Sequence, residues 1–490
     1  MKGNVKKILA AALALSLVLS VAGCKKDEGL NEDGTYTVVW YNNDMPQKDQ
    51  QLVIDELNKY TKEKIGVVVD YAAIAPSEYA EKTQLLFSSR KKIDVCFAST
   101  GMNYEKNARQ SAYYDMTDLL KTVGKPTKEL LPDYALDCFK VGGVQYGIPV
   151  LKDWAFQPYL SPKTKMLKDA GMYEKALNAT SLSDFTEIID AVSANEKANY
   201  GGTFYGILMR GNHNLMKFLP QETITGSVIA GFEFDNYDTV INAFNTDEAK
   251  ELFALLHEWY KKGYTKNDAA TSTSDTDLWK IGNFLSGHGE WLPGLASDPE
   301  VNAEVKGLTK PRMSTTQITA CGMAITSTTK NPERTMEFIN LLYNDEYVRN
   351  LTGLGIEGKH WVDKGDFWAL PEGFDTKADT GYESQASRFG NRFILKPQQG
   401  QAADIYEQWK KWNEDADKSG ALGFTFDPAP VAGQIAAVQN AYNEYMPALL
   451  VGAVDPEEAL PKAIAAMNAV GAEDIIKEAQ RQYDEWRKNK

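Results

Sequence analysis

Four short clusters set an aromatic ring beside hydrogen-bonding side chains: Trp40-Tyr41-Asn42-Asn43, Lys152-Asp153-Trp154, Gly289-Glu290-Trp291 and Gly358-Lys359-His360-Trp361. Arg388-Phe389-Gly390-Asn391-Arg392 forms a fifth. A ring offers a flat apolar face that matches the C–H face of a pyranose, and neighbouring Asp, Asn, Glu or Arg groups take hydroxyls in paired hydrogen bonds. The chemistry this combination supports is non-covalent recognition of a hydroxylated solute. Each tryptophan also has the plainer reading of a core side chain. Trp259, on a helical stripe, and Trp486, near the terminus, take that reading, and Trp279 fits either.

Signatures of catalysis and metal binding are missing from the sequence. Its four histidines, His213, His257, His288 and His360, form no HExxH pattern, and neither His288 with Glu290 nor His360 near Glu357 has the spacing of a closed zinc site. There is no Gly-x-Ser-x-Gly elbow and no phosphate loop. Residues 415–420 imitate the first half of a calcium loop, but its twelfth position is Phe426, where a bidentate Glu is required; a turn after a helix is expected instead. Acidic pairs for a glycosidase are cheap among 67 carboxylates. We expect no enzyme, no cofactor and no metal.

The elements that must position these clusters read as α/β. Residues 36–41 are a β-branched and aromatic strand ending in the polar turn Asn42-Asn43-Asp44, and a helix follows with Val53, Leu57 and Tyr60 on one face. Strands at 67–71 and 92–98 come next, near-continuously apolar as in a buried, partly parallel sheet. Ligands of open α/β sheets sit at strand ends. Residues 146–151 are extended, with Pro149 excluding a central ladder position, and cross between two lobes. A helix over 245–262 has Asn245 and Glu248 as a capping box and Gly263 as its stop. Asn331-Pro332-Glu333 opens another. The last ~70 residues are mostly helical, with Pro461 bending or restarting one helix.

The N-terminus sets the compartment. Lys2, Lys6 and Lys7 precede an apolar run over 8–21, too short for a bilayer span of ~20 residues, and Val21-Ala22-Gly23-Cys24 ends it. This resembles a bacterial lipobox, which implies a signal peptide over 1–23 and lipidation of Cys24. Residues 24–34 are a polar tether. Without the three leader lysines the net charge moves from −14 to −17, which argues against nucleic acid and anionic lipid as partners. The remaining cysteines, Cys96, Cys138 and Cys321, are odd in number and widely spaced, so no disulfide scaffold is expected, although a Cys96–Cys138 bridge stays open.

Together with the leader and the β-α-β opening, Tyr146-Gly-Ile-Pro149, Gly287-His-Gly-Glu-Trp291, Gly353-Leu-Gly-Ile-Glu-Gly-Lys-His-Trp361, Phe424-Thr-Phe-Asp-Pro428 and Val454-Asp-Pro-Glu-Glu-Ala-Leu-Pro461 carry a resemblance across the mature chain. The chain resembles the extracellular solute-binding lipoproteins of bacterial ABC importers, in the sugar-binder family and its LipO-type branch. The resemblance implies a periplasmic-binding-protein-like type II fold: two α/β lobes joined by a hinge, with a helical C-terminal portion. Lobe 1 is expected over 35–150 plus 275–350 and lobe 2 over 151–274 plus 351–490, with crossings near 148–152, 270–290 and 345–355. It further implies a lipid-anchored, extracytoplasmic monomer that hands a carbohydrate, an oligosaccharide, to ABC permease subunits. Carried onto this sequence, the cleft positions are Tyr41, Asn42, Asn43, Asp153, Trp154, Glu290, Trp291, Trp361 and Arg388, with Arg210 a weaker candidate. Rival readings are a peptide or other polar-solute binder on the same scaffold, a lipid-anchored glycoside hydrolase, and a receptor subunit that only senses its solute.

Overall fold

Strand β1 (Tyr36–Asn43) alternates buried and half-buried residues until Asn42 and Asn43, both buried. Helix α1 (Gln50–Ile65) buries Val53, Ile54 and Leu57 and ends where Gly66, at φ 65°, turns left-handed and returns its N–H to the Lys62 carbonyl. The chain continues through β2 (Val67–Ile74), α2 (Pro76–Ser88), β3 (Val95–Ala98), α3 (Tyr104–Arg109) and β4 (Ile148–Pro149). Then come α4 (Phe185–Asn199), β5 (Tyr205–Ile207), β6 (Gln221–Thr223), β7 (Ala230–Glu233), β8 (Asn236–Asn242), α5 (Asp247–Lys261) and β9 (Asn283–Leu285). β10 (Arg312–Met313), α6 (Thr315–Thr319), β11 (Gly322–Ile325), α7 (Pro332–Asn344) and α8 (Glu346–Leu354) follow. The chain closes with α9 (Ile405–Asp415), β12 (Asp417–Lys418), α10 (Ala432–Leu450), α11 (Pro456–Ala469) and α12 (Ala472–Asn489).

These elements come from a computed structural model that describes residues 29–199, 204–211, 215–224, 226–272, 283–285, 292–294 and 298–490. Cys24, Glu290 and Trp291 lie outside the described residues, as do His213, His288 and Trp279.

The first sheet has the order β2-β1-β3-β11-β4. β1 runs parallel to β2 from Tyr36↔Val67 to Asn43↔Ile74, and parallel to β3 through Trp40↔Val95. β11 is antiparallel to β3 and to β4. Pro149 therefore sits on the edge strand, where a missing N–H costs no ladder bond. Around this sheet Val38, Trp40, Leu57, Val95, Ile148 and Phe338 form one hydrophobic core. A second core gathers Phe185, Ile189, Phe232, Phe253, Trp259 and Tyr483.

Among the described residues the chain passes between the cores at three places that lie side by side. Phe156 bridges Arg312, and β10 pairs with β12 through Arg312↔Asp417 and Met313↔Lys418. These crossings differ from the expected ones, and so do the lobe boundaries. Trp154 and Ala155 belong to the first core, whereas Ala303 and Val305, expected in lobe 1, belong to the second. Phe389 and Ala416, expected in lobe 2, pack in the first core. The reason is physical: the stretch after α8 finds its partners on β1 and α1, as in the bond from Asp49 N–H to the Gly381 carbonyl, before the chain crosses back near 418.

Two local expectations also shift. The cap of α5 is Thr246, whose hydroxyl accepts from Ala249 N–H at 3.1 Å, one residue beyond Asn245. α11 spans Pro461 as one helix, so it does not restart there. Cys96 and Cys138 are separate buried thiols, and burial pushes the Cys138 thiol up to about 12.

Candidate functional site

The ends of β1, β3 and β4 and the start of β11 share one edge of the first sheet, because Gly322 pairs with both Ala98 and Pro149. At the β1 end most polar groups are engaged internally, with Asn42 Oδ1 buried and unpaired. Arg388 Nη1 donates to the Asn43 carbonyl at 2.6 Å and to Asn43 Oδ1 at 2.9 Å. The Asp44 carboxylate accepts from Met45 N–H, Gln385 N–H and Ser384 Oγ at 2.8, 3.1 and 3.3 Å, while burial raises its pKa. Nearby, Nδ1 of His360 accepts from Ile356 N–H at 2.8 Å and Nε2 meets Asp49 at 3.1 Å. The segment 381–392 thus straps the turn that the sequence marks as a ligand contact.

The expected contacts divide accordingly. Asn42 is 0 % exposed and donates to the Tyr71 hydroxyl at 3.4 Å. Tyr41 is half-buried, and its hydroxyl accepts from Lys91 Nζ at 3.0 Å. Trp154, at 3 % exposure, is a core side chain: its Nε1 donates to the Val150 carbonyl and its ring edge meets Tyr134. Trp361 is likewise buried, its Nε1 bound to the Gly355 carbonyl. Neither ring presents a face to a gap. Asp153 accepts from Arg392 Nη1 at 2.7 Å, and that guanidinium stacks 4.3 Å from the Trp409 ring centre. Arg210 is half-buried and lines neither cavity described next.

Past the β3 end the arrangement changes. A cavity of about 550 Å³ opens between the two lobes. Thr100, Asn103, Glu105, Arg109, Thr315 and Thr316 line it from the first lobe; Glu222, Ile224, Phe232, Phe424, Phe426 and Asp427 face them from the second. On the first side, Thr100 Oγ1 donates to Glu105 at 2.6 Å and meets Thr319 Oγ1 at 2.7 Å. At the rim, Arg109 Nε stands 3.5 Å from Asp427 Oδ2 and links the lobes.

A second cavity of about 460 Å³ adjoins it, lined by Phe156, Gln221, Phe234, Arg312, Gln317 and Tyr442 among others; both include Glu222, Thr223 and Thr316. The Arg312 guanidinium donates to the carbonyls of Leu219 and Lys217 at 2.9 and 2.6 Å and lies 4.4 Å from the Phe234 ring centre. Burial draws its pKa down to about 10. Hydroxyls, carboxyls and apolar rings from two bodies around one volume can hold a polar solute by hydrogen bonding and ring contact.

Sequence reasoning passed over most of this lining. Thr100 and the residues around it follow β3 as a small, polar strand end, and Phe424-Thr-Phe-Asp-Pro428 carried the family resemblance without being read as a wall. Nothing in Gln221-Glu222-Thr223, a short strand after a proline, marks it as facing a cavity.

Comparison with protein families matches residues 57–356 to the bacterial extracellular solute-binding proteins. The chain belongs to this family. Its fold is the two-lobed solute-binding architecture of that family, and its place is outside the cytoplasm. A second family, described as a domain of unknown function, matches residues 420–488, the segment that supplies Phe424 and Phe426. A carbohydrate ABC transporter substrate-binding protein of Streptococcus pneumoniae serotype 4 is 27% identical over 516 residues, covering 100% of both chains. The N-glycan transport solute-binding protein NgtS of Streptococcus pneumoniae superposes with a TM-score of 0.81 at 24% identity, over 92% of this chain and 99% of that one. Its complex with Man5GlcNAc gives 0.70 at 24%, over 93% and 99%. An HMO-binding, ABC-transporter-associated solute-binding protein of Bifidobacterium longum infantis gives 0.64 at 15% identity, over 92% and 99%.

Proposed function

We propose that this protein is the capture subunit of an ABC importer for a carbohydrate, an oligosaccharide held between the lobes, without catalysis. One observation carries the reading: hydrogen-bonding groups from both lobes and rings from the second surround a 550 Å³ cavity in a chain that matches a carbohydrate transporter's binding protein end to end. The sugar's hydroxyls pair with Asn103, Glu105, Arg109 and Glu222 while its apolar faces lie against Phe424 and Phe426. Asp153 and Tyr41, on the same sheet edge, extend the contact surface, together with Glu290 and Trp291. Cys24 carries the lipid that holds the monomer to the outer face of the cell membrane, beside its permease.

Closure supplies the mechanism. Bringing the lobes together removes water from rings and polar groups at once, so the solute, by replacing those contacts, shifts the balance toward the closed form. A differential affinity of ~5.5 kcal/mol moves the population from 1:99 to 99:1. The better superposition on NgtS than on its Man5GlcNAc complex, 0.81 against 0.70, is what a change in lobe disposition would produce.

A thermal-shift panel of oligosaccharides and peptides tests this reading, with chromatography of the mixtures afterwards. Stabilisation by oligosaccharides with no cleavage products is expected. Stabilisation by peptides alone overturns the carbohydrate assignment, and released shorter sugars overturn the absence of catalysis.

A further inference from the structure

Glu222 stands where both cavities and the three crossings meet. On β6 it pairs in register with Phe232 of β7. The Tyr237 hydroxyl of β8 donates to its Oε2 at 3.3 Å, and the Ser419 hydroxyl, just past β12, is near enough to favour its charged form. Arg312 of β10 and Tyr483 of α12 face it electrostatically. Across the first cavity, on the facing lobe, are Glu105, Lys106 and Arg109; on its own side are Asp427 and, beside the second cavity, Lys217. Burial holds the carboxyl up to about 7, against the pull of those hydroxyls and of Arg312. The group therefore changes charge near neutrality, at the contact between the moving parts.

We propose that Glu222 is a proton-linked binding residue of the interlobe cavity: solute capture and lobe closure take up a proton on its carboxyl group. This rests on the capture reading above. A carboxylate on this wall needs water that closure removes, while the neutral acid keeps its bond to Tyr237 and can still donate one to a sugar oxygen. The proton comes from the solvent and returns to it on release. Affinity is thus highest on the acid side of neutrality and weakens as pH rises.

Two arms test this. In the first, small-angle scattering of the solute-free protein at pH 6 and pH 8.5 compares wild type with Glu222→Gln. Wild type is expected to be more open at the higher pH and the variant unchanged. A pH response shared by both proteins, or absent from both, overturns the proposal. In the second, calorimetry with Man5GlcNAc near pH 7 in two buffers of different ionisation enthalpy reads proton uptake directly. Uptake in wild type that vanishes in Glu222→Gln, with a Kd at least ~threefold weaker at pH 8 than at pH 6, supports it. Binding without uptake overturns it. No heat with Man5GlcNAc counts against the sugar reading, and the first arm then decides alone. Tyr237→Phe, which removes a hydroxyl that stabilises the charged form, is expected to move the midpoint of the opening to higher pH. A downward shift overturns the assignment.

Discussion

Two patches on the same sheet edge meet opposite fates. At the β1 end, Asn42, Asn43 and Asp44 are buried beneath the strap at 381–392, and Arg388 is committed to Asn43. At the β3 end, Thr100, Asn103 and Glu105 of the same lobe border open volume and face a second body. Residue chemistry is similar in both. What differs is whether another segment of the chain supplies the partner. A polar cluster becomes a site only where the fold leaves its remaining hydrogen-bonding capacity unused.

The sharpest way to break this contrast is to remove a ring from the closed patch. Trp154→Ala is expected to cost ~3–5 kcal/mol of stability, read by denaturant unfolding, with oligosaccharide affinity surviving in whatever protein folds. Loss of affinity at unchanged stability would return Trp154 to the binding surface. Next, Arg388→Ala deprives the Asn43 groups of their donor and is expected to cost ~1–3 kcal/mol. Hydrogen exchange would then speed up selectively over 381–392, and a change spread across both lobes would contradict the strap. On the open patch, Asn103→Gly, which tolerates the left-handed φ of 63° at this position, is expected to weaken sugar binding by ~1 kcal/mol with little change in melting temperature.

pH sharpens the same comparison. The folded-state pKa of Glu222 lies near 7, above its ordinary 4.5, so the folded protein keeps this proton where the unfolded chain has lost it. Stability therefore falls as pH rises from about 4.5 through 7, by at most ~1.4 kcal/mol per unit. Melting curves of Glu222→Gln should lose that component of the slope; an identical slope would mean that other groups set it. The smallest effect belongs to the rim: Arg109→Ala should change stability by no more than ~1 kcal/mol, and less at high salt, as for a half-exposed ion pair.

Much of the scaffold was legible because its causes are local. β1 follows from β-branched and aromatic residues, α1 from its apolar spacing, and the halt at Gly66 from a residue that tolerates positive φ. Asn331 caps α7 through a bond to Arg334 N–H, three residues away. The restart open at Pro461 does not occur because Leu460, Ala463 and Met467 pack into the second core and hold the helix together across it.

The amino-acid sequence by itself determined the α/β class, the placement of β1, α1 and β2, and the family resemblance, all of which depend on neighbours within a few residues or on ordered motifs. Only the tertiary structure decided which rings line a gap and which fill a core. Trp154 is enclosed by Asn413, which binds its backbone N–H from 259 positions away, and by Tyr134. Phe424 and Phe426 meet Thr100 and Glu105 across the cavity from more than three hundred residues away. Burial is a property of the contacts a residue receives, and those contacts come from segments whose approach no local pattern encodes.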